Sequence, residues 1–248
     1  MGEKNVPVGR ILRTVIPVAA WILIWQLLAI IVHNRIILAG PYDTLSALIV
    51  LVRTEVFWSS VSATSVRILT GFFAGSVIGI ALGCLAFKKA FIGDFLKPFV
   101  SALKSVPVAS FVILLLIWFG SRNISVIICS MVVFPILYLS TIEGLKATDY
   151  RLLEMAHVFR MPLSRQIRYI YVPQLMPFFR SAFKLAIGMS FKSGIAAEVI
   201  GQPLNTIGNG LYLSKVYLET GELFAWTIVV VLISFICEKI ISLVLKLF

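Results

Sequence analysis

Acidic residues are scarce in this chain of 248 residues: 11 Asp and Glu stand against 22 Lys and Arg, and charged residues make up only 13% of the total. Soluble globular chains carry about a quarter charged residues, so a water-exposed surface cannot be built from this stock. Histidine occurs twice, as His33 and His157, too far apart in the expected topology to act as a pair. Cysteine occurs three times, as Cys84, Cys129 and Cys237, each inside an apolar run and without metal-ligand spacing. This excludes a disulfide framework and leaves no metal site to expect. The sequence also lacks a G-x-x-x-x-G-K-[ST] phosphate loop, a G-x-S-x-G elbow and an HExxH pair. No catalytic constellation is present, and no cofactor is expected in this chain.

What the sequence has in excess is apolar surface. Hydrophobic residues account for 60% and the mean hydropathy is +1.01. One core in a protein of this size cannot hide so much, and large exposed apolar patches are rare in soluble monomers. The composition also excludes a disordered chain. It fits a bilayer as solvent. A helical span needs about 20 mainly apolar residues, and six stretches qualify or nearly qualify: 11–32, 66–87, 101–121, 123–143, 178–200 and 223–245. The fifth is apolar but carries Arg180, Lys184, Lys192 and Glu198. The positive start followed by a long apolar run reads as an uncleaved first span. The expectation is an all-α, polytopic membrane helix bundle folded as one transmembrane domain over 1–248.

Charge sets the orientation. The net charge of +11 would suggest nucleic acid in a soluble protein, but here the cations sit between apolar runs. With the N-terminus inside, the inner segments hold fourteen Lys and Arg, among them Lys88, Lys89, Lys97, Lys104, Lys146 and Arg165. The outer segments hold five: Arg35, Arg53, Arg67, Arg122 and Lys215. This bias predicts cytoplasmic termini and a multi-pass plasma-membrane protein with no nucleic-acid partner. Outside, Thr44–Val52 is expected to form a short interfacial helix, and 201–222, rich in Gly and Asn, a re-entrant or loop region.

Two local patterns stand out. Gly71, Gly75, Gly79 and Gly83 recur every four residues, so one face of the second span lacks side chains and invites close helix packing. The long charged segment 144–176 reads as a helix–turn–helix elbow. Asp149 can cap a helix whose Leu152, Leu153, Ala156 and Phe159 form one apolar stripe. Met161-Pro162 ends it, Ser164 caps a second short helix through Tyr171, and Pro173 and Pro177 close the region.

Glu154-Met155-Ala156, then Arg160, then Ile170-Tyr171-Val172-Pro173, resembles the E-A-A-x3-G-x9-I-x-L-P loop of ABC importer permeases. Met155 replaces an alanine and Arg160 replaces the glycine. A left-handed turn at a non-glycine residue costs about 1–2 kcal/mol, so the turn is expected to be built differently, with Pro162 as the breaker. Ser62–Phe72, Ser105-Val106-Pro107-Val108-Ala109, Trp118-Phe119-Gly120, Phe134-Pro135, Ala197-Glu198 and Gly208-Asn209-Gly210-Leu211 follow in the order seen in the nitrate/sulfonate/taurine branch of that family.

This resemblance implies an inner-membrane permease subunit in a bacterium. It implies pairing as a homodimer, an extracytoplasmic solute-binding protein that delivers a small solute, and a separate ATP-binding subunit that carries ATP and Mg. The elbow residues Leu152, Leu153, Glu154, Ala156, Phe159, Arg160 and Pro173 would couple to that subunit. Glu154 would support its own helix or meet a partner cation. Lys192, Glu198 and Arg67 would line a path for an anion such as a sulfonate, taurine or nitrate, although Lys192 and Glu198 lie six residues apart and do not share a helix face. A secondary transporter driven by an ion gradient is the alternative. It commonly shows inverted repeats, which this chain does not, and it has no need of a cytoplasmic elbow.

Overall fold

The structure, a computed structural model, describes residues 8–245, and in the first helix side chains only from residue 16 onward. Lys4, Lys246 and the side chains of Arg10 and Arg13 therefore lie outside the described residues. The helices in chain order are α1 (Val8–Val32), α2 (Pro41–Val52), α3 (Glu55–Lys88), α4 (Ala90–Ser105), α5 (Val108–Phe119) and α6 (Ile124–Lys146). They continue with α7 (Tyr150–Val158), α8 (Leu163–Gln166), a π turn (Ile167–Tyr171), α9 (Val172–Gly201), α10 (Ile207–Val216) and α11 (Thr220–Val244). The described residues contain no strand, and the fold is an all-α membrane fold. α3, α6 and α11 are long and apolar enough to cross a bilayer, and the bent pair α4 and α5 passes the same test when taken together.

The chain divides into two compact units. The first contains the chain up to Trp58 together with Gly210–Val229. In it the Trp25 Nε1–H donates to the Ala39 carbonyl at 3.0 Å, which closes the connection from α1 to α2. Pro41 opens α2, where a missing N–H costs nothing. Asp43 in the first turn favours the positive end of the helix dipole and pairs with Arg35 at 3.5 Å. Phe57 stacks on Trp226 with centroids 5.3 Å apart. Gly210 lies so close to that indole that a Cβ there would come within 2.7 Å of it.

The second unit, Ser59–Asn209 with the chain from Val230 onward, is organised around α6. The glycines of α3 meet α6 backbone to backbone. A Cβ at Gly71, Gly75 or Gly79 would stand 2.5, 2.7 and 2.7 Å from the carbonyl oxygens of Val126, Ser130 and Phe134, and one at Gly83 would stand 2.8 Å from Thr141 Cβ. The Ser130 hydroxyl donates to the Gly71 carbonyl at 3.1 Å across the same contact. On another side α6 packs along α9. The Cys129 thiol donates to the Ser190 carbonyl and the Ser140 hydroxyl to the Phe178 carbonyl, both at 3.2 Å. Gly194 of α9 admits Cys129 and Ile68 within 3 Å of where its Cβ would be. Small residues and interhelical hydrogen bonds are what lipid-embedded helices use, because lipid gives them no hydrophobic drive to associate. Charged pairs on α9 are few. Lys184 meets Glu238 of α11 at 3.2 Å, and Arg180 Nε donates to the Leu245 carbonyl.

Several spans differ from the sequence expectation. α3 starts at Glu55, eleven residues before the expected boundary, because Thr54 closes the preceding turn and Glu55 suits a helix start. Its 34 residues make a helix of about 51 Å. The expected 101–121 span is not one helix. Val106 and Pro107 are extended and the two halves meet at 105°. Pro107 has no N–H to continue the ladder and pushes Val106 out of the helical region. Pro173 and Pro177 do not close the elbow either. The helix runs on from α8 through the π turn into α9, and Ser164 makes no capping bond because Pro162 occupies the N-cap. The segment 201–222 contains α10 as well as a turn.

The α3–α6 contact yields a test of unusual sign. Gly→Ala in a helix interior ordinarily stabilises by about 1 kcal/mol through propensity. At Gly75 the added methyl would lie 2.7 Å from the Ser130 carbonyl, and overpacking of this kind costs about 1–3 kcal/mol. Gly75→Ala should lower the melting temperature of the purified protein, whereas Gly188→Ala, with nothing within 4 Å, should not. Equal melting of Gly75→Ala and the unmodified protein would mean that the helices do not meet here.

Candidate functional site

The elbow begins where α6 ends at Lys146. Asp149 is the N-cap of α7, its carboxylate accepting from the Arg151 N–H at 2.9 Å, and Phe159 is the C-cap. After it Arg160 adopts φ +48°, in the left-handed region. The Met161 N–H bonds the Ala156 carbonyl at 2.8 Å, and the Arg160 N–H bonds the His157 carbonyl at 3.0 Å. Those two bonds define a Schellman ending with Arg160 at the position that glycine normally takes. The turn is thus left-handed after all, and Pro162 only follows it. The cation there also suits the negative end of the α7 dipole.

The faces of α7 differ from the expected stripe. Ala156 is fully buried and Leu152 and Leu153 are half-buried, so much of that stripe packs on the chain itself. Phe159 is 76% exposed. The outward face is instead Tyr150, Leu153, Glu154, His157 and Val158, which line a shallow open depression. Their spacing is i, i+3, i+4, i+7, i+8, one continuous helix face. Val158 and Tyr150 are 76% and 63% exposed and give it apolar edges, with Glu154 and His157 between them. The spacing was present in the sequence, but Tyr150 and Val158 lacked the family motif that drew attention to their neighbours. Glu154, expected to support the helix start, is exposed, and Asp149 does the capping.

The expected path residues separate. Lys192 is exposed on α9 and makes no ion pair among the described residues, whereas Glu198, six residues on, is completely buried. Arg67, counted on the outer side, sits well inside α3, and its charge is close enough to act on the Glu198 carboxylate. Glu198 Oε2 accepts from Thr64 Oγ1–H at 2.8 Å and from the Gly208 N–H at 3.3 Å. Its Oε1, the Ser125 hydroxyl and Arg67 Nη1 are buried without a hydrogen-bond partner. Thr64 and Ser125 escaped sequence reasoning, since a lone hydroxyl carries no signal of which helix it will face. Gly208 was noticed only as part of a motif. Among the described residues no group of acidic, His and Cys side chains could hold a metal ion.

Known transport proteins resemble this chain in sequence and in fold. The model of the family described as "Binding-protein-dependent transport system inner membrane component" matches residues 75–247. The taurine transport system permease protein TauC of Escherichia coli is 22% identical over 222 residues, covering 86% of this chain and 80% of that protein. The nitrate import permease protein NrtB of Synechocystis is 22% identical over 247 residues, covering 94% and 87%. A chain of the MetNI methionine ABC transporter, solved in inward-facing conformations, superposes with a TM-score of 0.64 at 13% identity, covering 77% of this chain and 96% of that one. That likeness concerns the fold.

The left-handed Arg160 gives the elbow a measurable strain. Arg160→Gly should relieve about 1–2 kcal/mol of backbone cost and lose about 0.5–1 kcal/mol to the greater freedom of the unfolded chain. The net is a small rise in melting temperature. Arg160→Val, β-branched at φ +48°, should lower it. If Arg160→Gly melts lower than the unmodified protein, the strain account fails.

Proposed function

This chain belongs to the family of binding-protein-dependent transport system inner membrane components, and from that membership we propose how it works as the permease subunit of an ATP-driven ABC importer. It acts with an ATP-binding subunit and a solute-binding protein. An ion-gradient-driven carrier is not favoured. We place both termini and the elbow in the cytoplasm, with six spans and two permease copies around one path. ATP hydrolysis then resides on the partner.

The observation that carries the coupling role is the outward face of α7. It presents Tyr150, Leu153 and Val158 around Glu154 and His157, on a helix fixed at both ends by the Asp149 cap and the Arg160 turn. A cytoplasmic loop has little reason to hold apolar side chains in water, and a groove on the ATP-binding subunit would cover them. The elbow is joined directly to α6 on one side and, through the unbroken helix from Leu163, to α9 on the other. α6 and α9 pack along each other. A displacement of the elbow when ATP closes the partner subunits is thereby delivered to the two best-packed helices of the second unit as a rigid-body shift.

For the solute we propose a small anion of the sulfonate, taurine or nitrate kind, as the names of the relatives suggest. Lys192 is the charge that suits it. An exposed lysine two-thirds of the way along a mainly apolar helix faces water or a path rather than lipid.

Tyr150→Ala and Val158→Glu should each weaken capture of the ATP-binding subunit by about tenfold or more, as loss of a central contact does, with the permease still folded. Ala156→Leu should instead lower the yield of folded permease, since that side chain is buried within the chain. Co-purification together with uptake into vesicles decides the matter. Unchanged capture in both outward variants would remove the docking role. Lys192→Ala should reduce taurine or nitrate uptake by about tenfold, the weight of one charge-assisted contact, with capture of the ATP-binding subunit intact. Undiminished uptake would take Lys192 off the path.

A further inference from the structure

Glu198 occupies the last turn of α9, where Gln202 turns left-handed at φ +49° and bonds back to the Glu198 carbonyl at 2.7 Å. Five residues later α10 begins, and its first N–H groups require acceptors that no preceding turn supplies. The Ile207 N–H donates to Thr64 Oγ1 at 3.0 Å, the Gly208 N–H to Glu198 Oε2 at 3.3 Å, and the Asn209 N–H to Thr206 Oγ1 at 3.1 Å. Only the last of these is the local Ser/Thr cap that most helices use. The other two acceptors come from α3 and α9, and Thr64 joins them by donating its own hydroxyl hydrogen to Glu198 Oε2 at 2.8 Å. Gly208 is what permits the approach, because a Cβ there would coincide with Glu198 Cβ at 2.2 Å.

We propose that Glu198 is a positioning residue rather than a charge on the solute path: as a buried acceptor, shared with Thr64, it fastens the first turn of α10 to α3 and α9. Three observations converge on this. The carboxylate is 0% exposed, so a solute cannot reach it in this conformation. One of its oxygens accepts from both α3 and α10, elements that lie far apart in the chain. The glycine opposite sits against Glu198 Cβ and the Glu198–Val199 backbone, where a Cβ would have no room. The second oxygen, Oε1, is buried with Ser125 Oγ and Arg67 Nη1. An amide in its place could donate to the Ser125 hydroxyl oxygen, while its carbonyl keeps both bonds of Oε2.

That last point makes the acceptor role separable from a charge role. The experiment uses the full chain purified with its ATP-binding subunit and compares Glu198→Gln, Glu198→Ala and Thr64→Val. Amide hydrogen exchange is read over 206–216 and, separately, uptake of taurine or nitrate. Glu198→Gln should keep exchange at Ile207–Asn209 within about threefold of the unmodified protein and should keep uptake. Glu198→Ala and Thr64→Val should each speed exchange there by about tenfold or more, and the double variant should be no faster than the worse single one, since both remove the same fastening. Unchanged exchange in Glu198→Ala or, if that variant does not fold, in Thr64→Val overturns the proposal. So does a Glu198→Gln protein that keeps its amides protected yet loses uptake as fully as Glu198→Ala, which would put the charge on the path. The uptake arm rests on the transport reading above, whereas the exchange arm does not. Absence of uptake in the unmodified protein would fault that reading and leave the exchange result to decide this one.

Discussion

The second unit depends on how closely two backbones can approach. Along α3, glycine at every fourth position brings the helix against the carbonyl row of α6, where no methyl group fits. With α3 held there, α9 packs against both α6 and α3, and the hydroxyl and thiol donors that cross from α6 to α9 find carbonyls within reach. In water the expulsion of solvent would help drive such contacts. In lipid that drive is absent, so shape and dispersion have to supply the association. This explains why the most buried of the spanning helices, α6, has small and hydroxyl-bearing residues on several sides, whereas the apolar stretch of α11 has few buried residues.

The same economy governs the polar groups. Buried in apolar surroundings, an unpaired N–H or carboxylate costs several kcal/mol. The chain answers at the start of α10 by letting α3 and α9 lend acceptors to a third helix. At the elbow it answers differently, with a local aspartate at one end of α7 and a reversed turn at the other. One solution ties distant segments together. The other makes a short helix stiff enough to be moved as a piece.

Much of this was legible in the sequence because period and composition speak directly to it. Four glycines at a spacing of four announce a close face whatever their partner. Asp149 ahead of an amphipathic run announces a helix start. What could not be read was direction. The stripe Leu152, Leu153, Ala156 and Phe159 is amphipathic, but periodicity does not say whether an apolar face will meet the chain or a partner, and Ala156 turned inward. The prolines misled for a related reason. Pro173 and Pro177 look like stops, yet Pro173 lies in the first turn of α9, where its missing N–H matters least, just after the π turn. Pro107, without such relief, did break its helix. Arg160 shows the limit of propensity, because two hydrogen bonds hold a non-glycine residue in a conformation that its own backbone disfavours. Glu198 was picked out as an oddity in an apolar helix. Its partners are 134 and 10 residues away, and no local pattern pairs them.

The π turn at Ile167–Tyr171 bears on the angular setting of the elbow. A π turn winds one extra residue into a helix, and each residue of an α-helix advances the azimuth by about 100°. The helix entering from Leu163 and the helix leaving as α9 are therefore unbroken in backbone but offset in phase. Whatever face of the elbow reaches its partner is set relative to Lys192 and Glu198 by that single residue. The connection works like a shaft with a keyed joint: push is transmitted along it, while the orientation of the two ends is fixed at the key. A one-residue deletion between Gln166 and Val172 would remove the extra residue and with it the phase offset that keys the two ends to each other.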